Sequence, residues 1–344
     1  MSSRVLESLP EVALRPSYDI SRSYNDNAER GPQLSGPMPE RRWPPRSQWG
    51  DFLGFKVASP LGVPAGPLLN AKWVCFASQL GFDILTYNTI RCRSVPCQPA
   101  PNMIFVDVKG DVAVLTAKPT SIEDLTVGCS FGYNSKDREF LQMDIESARE
   151  SLRDGQLLIV SVYGSGQSLY DLAADYVRAA SIAREAGAQV IEADFTSVSL
   201  EAAPAVAKAI IQAIGVCPLL IKTGNFESQE SQREFMVSLA QAGVRGFSGI
   251  NSLSMKASRP DGFPVLPGRP VVDVRGSGIR QEALKFVRQA RSIIESEKLE
   301  TVLIGCGGIV SKTHFNEFLQ AGANLAMSAT GMLWDPYIAM RWHS

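Results

Sequence analysis

Short apolar runs alternate with longer stretches of helical spacing through most of the chain. Strand-like runs fall at Val57–Val63, Asp83–Thr86, Leu157–Val162, Gln189–Asp194, Leu219–Lys222, Gly246–Asn251, Val302–Ile304 and Leu325–Met327. Helical patterns separate most of them, at Tyr170–Ala186, Ala203–Ile214, Ser231–Ala242, Gln281–Glu297 and Thr313–Ala321. In the first of these helices, Leu172, Ala173, Tyr176, Val177, Ala180 and Ala183 recur on one face, and Gly187 follows where a stop is expected. Alternating strands and helices predict parallel βα units closing as a (β/α)8 TIM barrel, an α/β fold. A doubly wound open sheet is the alternative.

Three segments break the alternation. Residues 1–50 are rich in Pro, Arg, Ser and Asn with little periodicity, which predicts an N-terminal arm, extended or partly disordered, before a barrel at 51–344. Residues 92–135 and 252–276 are too long for plain crossovers. The first contains a hairpin signal, Met103–Val108 and Val112–Ala117 around Lys109-Gly110-Asp111. The second is Pro/Gly-rich, as in Arg259-Pro260-Asp261-Gly262-Phe263-Pro264. Both leave from C-terminal strand ends, where barrels carry their chemistry, and both are expected to be lids or substrate walls.

Composition narrows the function classes. The 344 residues are 45% apolar and 20% charged with net charge −1, ordinary globular usage without a basic stripe for nucleic acid. No run of about 18 apolar residues suggests a membrane span, and the first residues lack the apolar core of a secretory signal. The six cysteines, Cys75, Cys92, Cys97, Cys129, Cys217 and Cys306, form no C-x-x-C pair, so no metal site is expected and a reducing cytoplasm is the expected setting. The two histidines, His314 and His343, lie away from the strand ends and are not expected to act in catalysis.

Two turns near the C-terminus are built for an anion. Cys306-Gly307-Gly308 ends one strand, and Ala329-Thr330-Gly331 follows the next. Glycines let backbone N–H groups close on a phosphate, and paired strand-to-helix turns at the end of a βα series form the usual barrel phosphate site. Lys222 ends an apolar strand, where a buried ammonium needs an anion or an electron-rich ring beside it. Asn251 and Asp194 close two other strands. Glu192 shares the parity of Asp194 and reads as a structural hydrogen-bonding residue. Ser197 lies just beyond Asp194, and needs a partner to relay a proton.

Over about residues 51 to 340, the chain resembles the dihydroorotate dehydrogenase superfamily of FMN flavoproteins. The resemblance rests on Ser59-Pro60-Leu61-Gly62-Val63-Pro64-Ala65-Gly66, Thr86-Tyr87-Asn88-Thr89-Ile90, Ser130-Phe131-Gly132-Tyr133-Asn134-Ser135, Lys222, Asn251-Ser252, Gly276-Ser277-Gly278, Cys306-Gly307-Gly308 and Ala329-Thr330. It implies an FMN isoalloxazine held across the barrel mouth near Ala65, Gly66, Asn88, Thr89, Lys222, Asn251 and Ser252. The phosphate would lie in the turns of Gly278, Gly307, Gly308, Ala329 and Thr330. It implies Ser197 as the residue removing a proton while hydride passes to flavin N5, with Lys222 and Asp194 beside it. The substrate contacts would be Cys129, Phe131, Gly132, Tyr133, Asn134, Asp194, Ser199 and Asn251.

The departures shape the functional expectation. Asp194 and Ser199 stand where the family grips its pyrimidine with asparagines, and Cys129 replaces another. The family's lysine near flavin and substrate is Leu69 or Tyr87 here, with Lys72 the nearby substitute. Lost polar contacts cost about 1–3 kcal/mol each, so the leading expectation is an FMN oxidoreductase acting on a C–C or C–N bond of another small polar substrate. Genuine dihydroorotate oxidation is the alternative. Other classes are a phosphate-binding lyase using Lys222 as a Schiff base, and a flavin-binding protein without turnover. The electron acceptor or donor is left unnamed, and assembly as a homodimer stays open.

Overall fold

A computed structural model describes residues 9–263, 265–266 and 268–344. The first eight residues of the expected arm, and Pro264 of the second insertion, lie outside the described residues. Eight parallel strands close into one barrel. In chain order they are Leu61–Val63, Ile84–Ile90, Leu157–Val162, Val190–Asp194, Leu219–Lys222, Gly246–Gly249, Val302–Cys306 and Leu325–Met327, called here the first to the eighth. Each predicted run overlaps one of them, and the second and seventh strands run on past the expected Thr86 and Ile304 to Ile90 and Cys306. The first is shorter than expected, because Phe55–Val57 belongs to a separate hairpin with Gly50–Phe52 and Pro60 precedes the barrel strand.

The barrel interior is graded. Phe52 and Val57 of the hairpin pack with Ile84, Leu157, Ile159, Val190, Leu220, Ile304 and Leu325 in one apolar cluster. Two residues further along several strands the inward positions turn polar: Ser161 follows Ile159, Glu192 follows Val190, and Lys222 follows Leu220. Period-two alternation thus stacks an apolar plug below a polar mouth.

Helices pack outside. Leu169–Glu185, Ala203–Ile214, Gln229–Gln241, Arg280–Ser296 and Lys312–Gln320 lie within one or two residues of the predicted spans. Ser168 caps the first of these, its Oγ accepting from Asp171 N at 3.1 Å. Ala71–Gln79 and Arg138–Glu150 complete the early crossovers.

The two insertions fold together. Met103–Lys109 and Val112–Leu115 form the expected hairpin. Thr126–Cys129, Leu253–Ser258 and Val271–Gly276 then join it in a closed five-stranded sheet. This lid sits over the barrel mouth. The arm residues that are described are tied down at both ends of the barrel. Near the mouth, Ser17 N donates to Leu333 O at 2.7 Å, and Tyr18 and Tyr24 are buried. Tyr24–Arg30 is a short helix opened by a Ser23/Asp26 capping box. Near the floor, Arg41 grips Asp83 with two hydrogen bonds, and Ser59 Oγ donates to the same carboxylate at 2.6 Å.

Candidate functional site

A chamber opens between barrel mouth, lid and arm. Its lining includes Ala65, Gly66, Asn88, Thr89, Cys129, Phe131, Gly132, Tyr133, Asn134, Asp194, Lys222, Asn251, Ala329 and Thr330. A narrower space continues past Lys222 and Asn251 to Gly276, Gly307 and Gly308. Most of the residues singled out from the sequence therefore share one cleft.

Lys222 is the chemical centre. Strand register sets it beside Asp194 and Ser248. Its Nζ lies 2.8 Å from Glu192 Oε1, both side chains essentially excluded from solvent. Burial opposes the ammonium, but Glu192 and Asp194 outweigh it and the lysine pKa is raised. Lys222 is held as a cation, so a Schiff-base role, which needs the free amine, is disfavoured. Burial pushes the Asp194 carboxyl above its usual range, against the pull of Lys222 and of two bonds from Thr196. Tyr133 Oη lies 3.3 Å from Asp194 Oδ2, and its ring stacks on Tyr163 at 3.7 Å.

The phosphate end fits its expected group. Among the described residues, the backbone N–H groups of Gly307, Gly308 and Ala329 donate to no protein acceptor. Gly307 and Gly308 take φ of 109° and 83°, which an L side chain rarely adopts. A Cβ on Gly308 would also fall 2.7 Å from Arg280 Cα. Gly278 is differently placed: its N–H already donates to Thr126 Oγ1 at 3.0 Å, and Gly276 lines the cleft instead.

Other expected residues are drawn elsewhere. Ser197 is exposed on the loop after the fourth strand, its Oγ 3.3 Å from Tyr163 Oη, and does not line the chamber. Ser199 Oγ accepts from Ala202 N at 3.3 Å, in the turn that starts the next helix. Ser252 is half-buried and outside the lining. Tyr87 directs its hydroxyl to Asp144 at 2.6 Å, beside a neighbouring space lined also by Leu69. Lys72 donates to Glu29 O at 2.6 Å at the surface, so it is no substitute for the missing lysine.

Sequence reading missed several wall residues. Tyr18 and Tyr24 come from the arm, each meeting Phe131 edge-on at 6.1 and 6.0 Å. Tyr24 Oη also accepts from Asn88 Nδ2 at 2.6 Å. Asp273 and Arg275 come from the lid. For these last two a signal existed: Val272-Asp273-Val274-Arg275 alternates with period two, the mark of a half-buried strand. Nothing local marked the tyrosines.

No family model matches the chain. Curated proteins do. A dihydroorotate dehydrogenase of Dictyostelium discoideum is 38% identical over 359 aligned positions, 96% of this chain and 97% of that protein. Two proteins named dihydroorotate dehydrogenase (quinone), from Clavibacter michiganensis subsp. michiganensis (strain NCPPB 382) and Clavibacter sepedonicus, are 24% and 23% identical, each over 83% of this chain and 80% of theirs. Similarity at this level across nearly both full lengths, on a barrel whose mouth gathers these residues, identifies the chain as an oxidoreductase-type member of the dihydroorotate dehydrogenase family.

Proposed function

We propose that the protein is an FMN-dependent dihydroorotate dehydrogenase, converting dihydroorotate to orotate. The observation that carries this reading is the 38% identity with a dihydroorotate dehydrogenase along almost the whole of both chains. It favours the pyrimidine substrate over the unrelated substrate suggested by Asp194, Ser199 and Cys129. Those departures are then altered contacts for the same ligand, and the chamber walls supply alternatives in Tyr133, Asn134 and Asn251.

The residues divide into roles along the cleft. Gly307, Gly308, Ala329 and Thr330 would hold the FMN phosphate, and Lys222, Asn251, Ala65, Gly66, Asn88 and Thr89 would flank the ring. FMN supplies the two-electron acceptor chemistry when bound. Lys222, kept protonated by Glu192, offers a fixed positive charge on a side chain shielded from solvent. Asp194, with its raised pKa, can stay neutral and donate as an amide would. Ser197 is the proposed proton acceptor, with Tyr163 Oη as its polar partner and solvent beyond it. Its loop must move inward to meet a substrate.

The test is anaerobic. Protein loaded with FMN and mixed with dihydroorotate should lose its flavin absorbance near roughly 450 nm and form stoichiometric orotate. Flavin that stays oxidised with dihydroorotate, yet is reduced by dithionite, would refute the substrate assignment.

A further inference from the structure

Lys222 is not the only cation at the chamber. Arg275 lies near the end of the lid strand Val271–Gly276, opposite Val127, while Asp273 lies opposite Cys129. Alternation then turns these four residues towards the barrel mouth, and all four line the chamber. The Arg275 side chain is only 22% exposed, and its closest carboxylate, Asp273, is 4.0 Å away, beyond hydrogen-bond reach. Its Nε is buried with no acceptor among the described residues. A guanidinium offers five donors in a planar fork that matches a carboxylate or phosphate edge. Left without an acceptor in a half-closed chamber, it is a site waiting for an anion.

The other cations are committed. Lys222 is paired with Glu192, and Lys72 is tied to the arm outside the chamber. Tyr87 and Leu69, where the resemblance placed a lysine, carry no charge. Among the described residues lining the chamber, Arg275 is therefore the cation with no hydrogen-bonded acceptor, its one ion pair being the long contact to Asp273, and it stands on the lid.

We propose that Arg275 is the specificity-determining residue of the substrate chamber, receiving the substrate's carboxylate from the lid side. The proposal rests on the dihydroorotate reading for the identity of that carboxylate. The FMN phosphate shares the same chemistry, and Arg275 borders the phosphate end too. The surroundings favour the substrate: Arg275 lines the main chamber together with Cys129, Tyr133, Asp194 and Asp273. The phosphate end has its own free N–H groups.

The test compares FMN-loaded wild type with R275Q and R275K, titrating orotate and benzoate by the change in flavin spectrum. R275Q should keep its FMN and bind both carboxylates roughly 10- to 100-fold more weakly, the usual worth of a charged hydrogen bond. R275K should fall between, since it keeps charge but not the fork. Unchanged orotate affinity in R275Q would overturn the proposal, as would R275Q purified without FMN, which would give the guanidinium to the phosphate. Wild type that binds no carboxylate would overturn it too. If R275Q does not fold, R275K decides: weaker orotate binding with FMN retained supports the proposal, and unchanged binding defeats it. Wild type that binds orotate through Arg275, yet is not reduced by dihydroorotate, would leave the carboxylate site standing and remove only the dehydrogenase reading.

Discussion

Replacing Lys222 by alanine would strand the Glu192 carboxylate at the centre of the barrel. Removing one partner of a buried ion pair costs about 3–5 kcal/mol, so Lys222→Ala should lower the urea midpoint as well as slow flavin reduction. Adding Glu192→Gln removes the stranded charge. The double variant should regain most of the stability but none of the reduction rate. Recovery of both would mean that Lys222 serves only to neutralise Glu192. Asp194 gives a prediction in pH. Its folded pKa is raised above the ordinary 3.8, chiefly by burial, so the folded state holds this proton more tightly than the unfolded one. The stability it contributes is present at low pH and is lost as pH rises from that value through the raised pKa. Orotate affinity should fall through the same window, as the newly ionised carboxylate repels the anion. Asp194→Asn should flatten both profiles; an unaltered affinity profile in that variant would clear Asp194 of the effect. Lys222, Asp194 and the glycine turns were legible in the sequence because each ends an apolar run. The Lys222–Glu192 pair was half legible, through shared parity with Asp194. Which partner each side chain chose was not, because that depends on register between strands.

At the scale of elements, the two phosphate-end turns call for different tests. A side chain on Gly308 would strike the start of the Arg280–Ser296 helix whether or not a ligand is bound, so loss of FMN there would not report on phosphate. Ala329 is the cleaner position. Ala329 is only half-buried, lines the cleft and immediately precedes Thr330–Trp334. Ala329→Asp should leave the apoprotein's urea midpoint nearly unchanged while the purified protein comes out largely free of flavin. Full flavin content would move the phosphate elsewhere. The barrel strands and five helices could be read from periodicity because each is a local pattern. The helix Ala71–Gln79 was hidden because it is buried on most sides, at Ala71, Trp73, Val74, Phe76, Ala77 and Ser78. The lid's hairpin was read from its turn, but its other three strands were hidden for another reason. Thr126–Cys129 pairs with Val271–Gly276, far away in sequence, and a four-residue strand without its partner is only a short apolar run.

For the whole molecule, the arm is part of the stability as well as of the site. Arg41→Ala would leave Asp83, fully buried, without its cation, and should cost about 3–5 kcal/mol in urea denaturation. A loss below about 1 kcal/mol would class the pair with exposed salt bridges. Flavin content should survive, since Arg41 lies at the opposite end of the barrel from the cleft. The order of attachment along the arm has a mechanical consequence. Tyr18 and Tyr24 at the mouth come before Arg41 at the floor, so a pull from the N-terminal side reaches the aromatic wall first and the ionic latch second. The chamber can thus be unlaced while the barrel stays shut underneath, and the arm behaves as a drawstring whose knot lies at the far end.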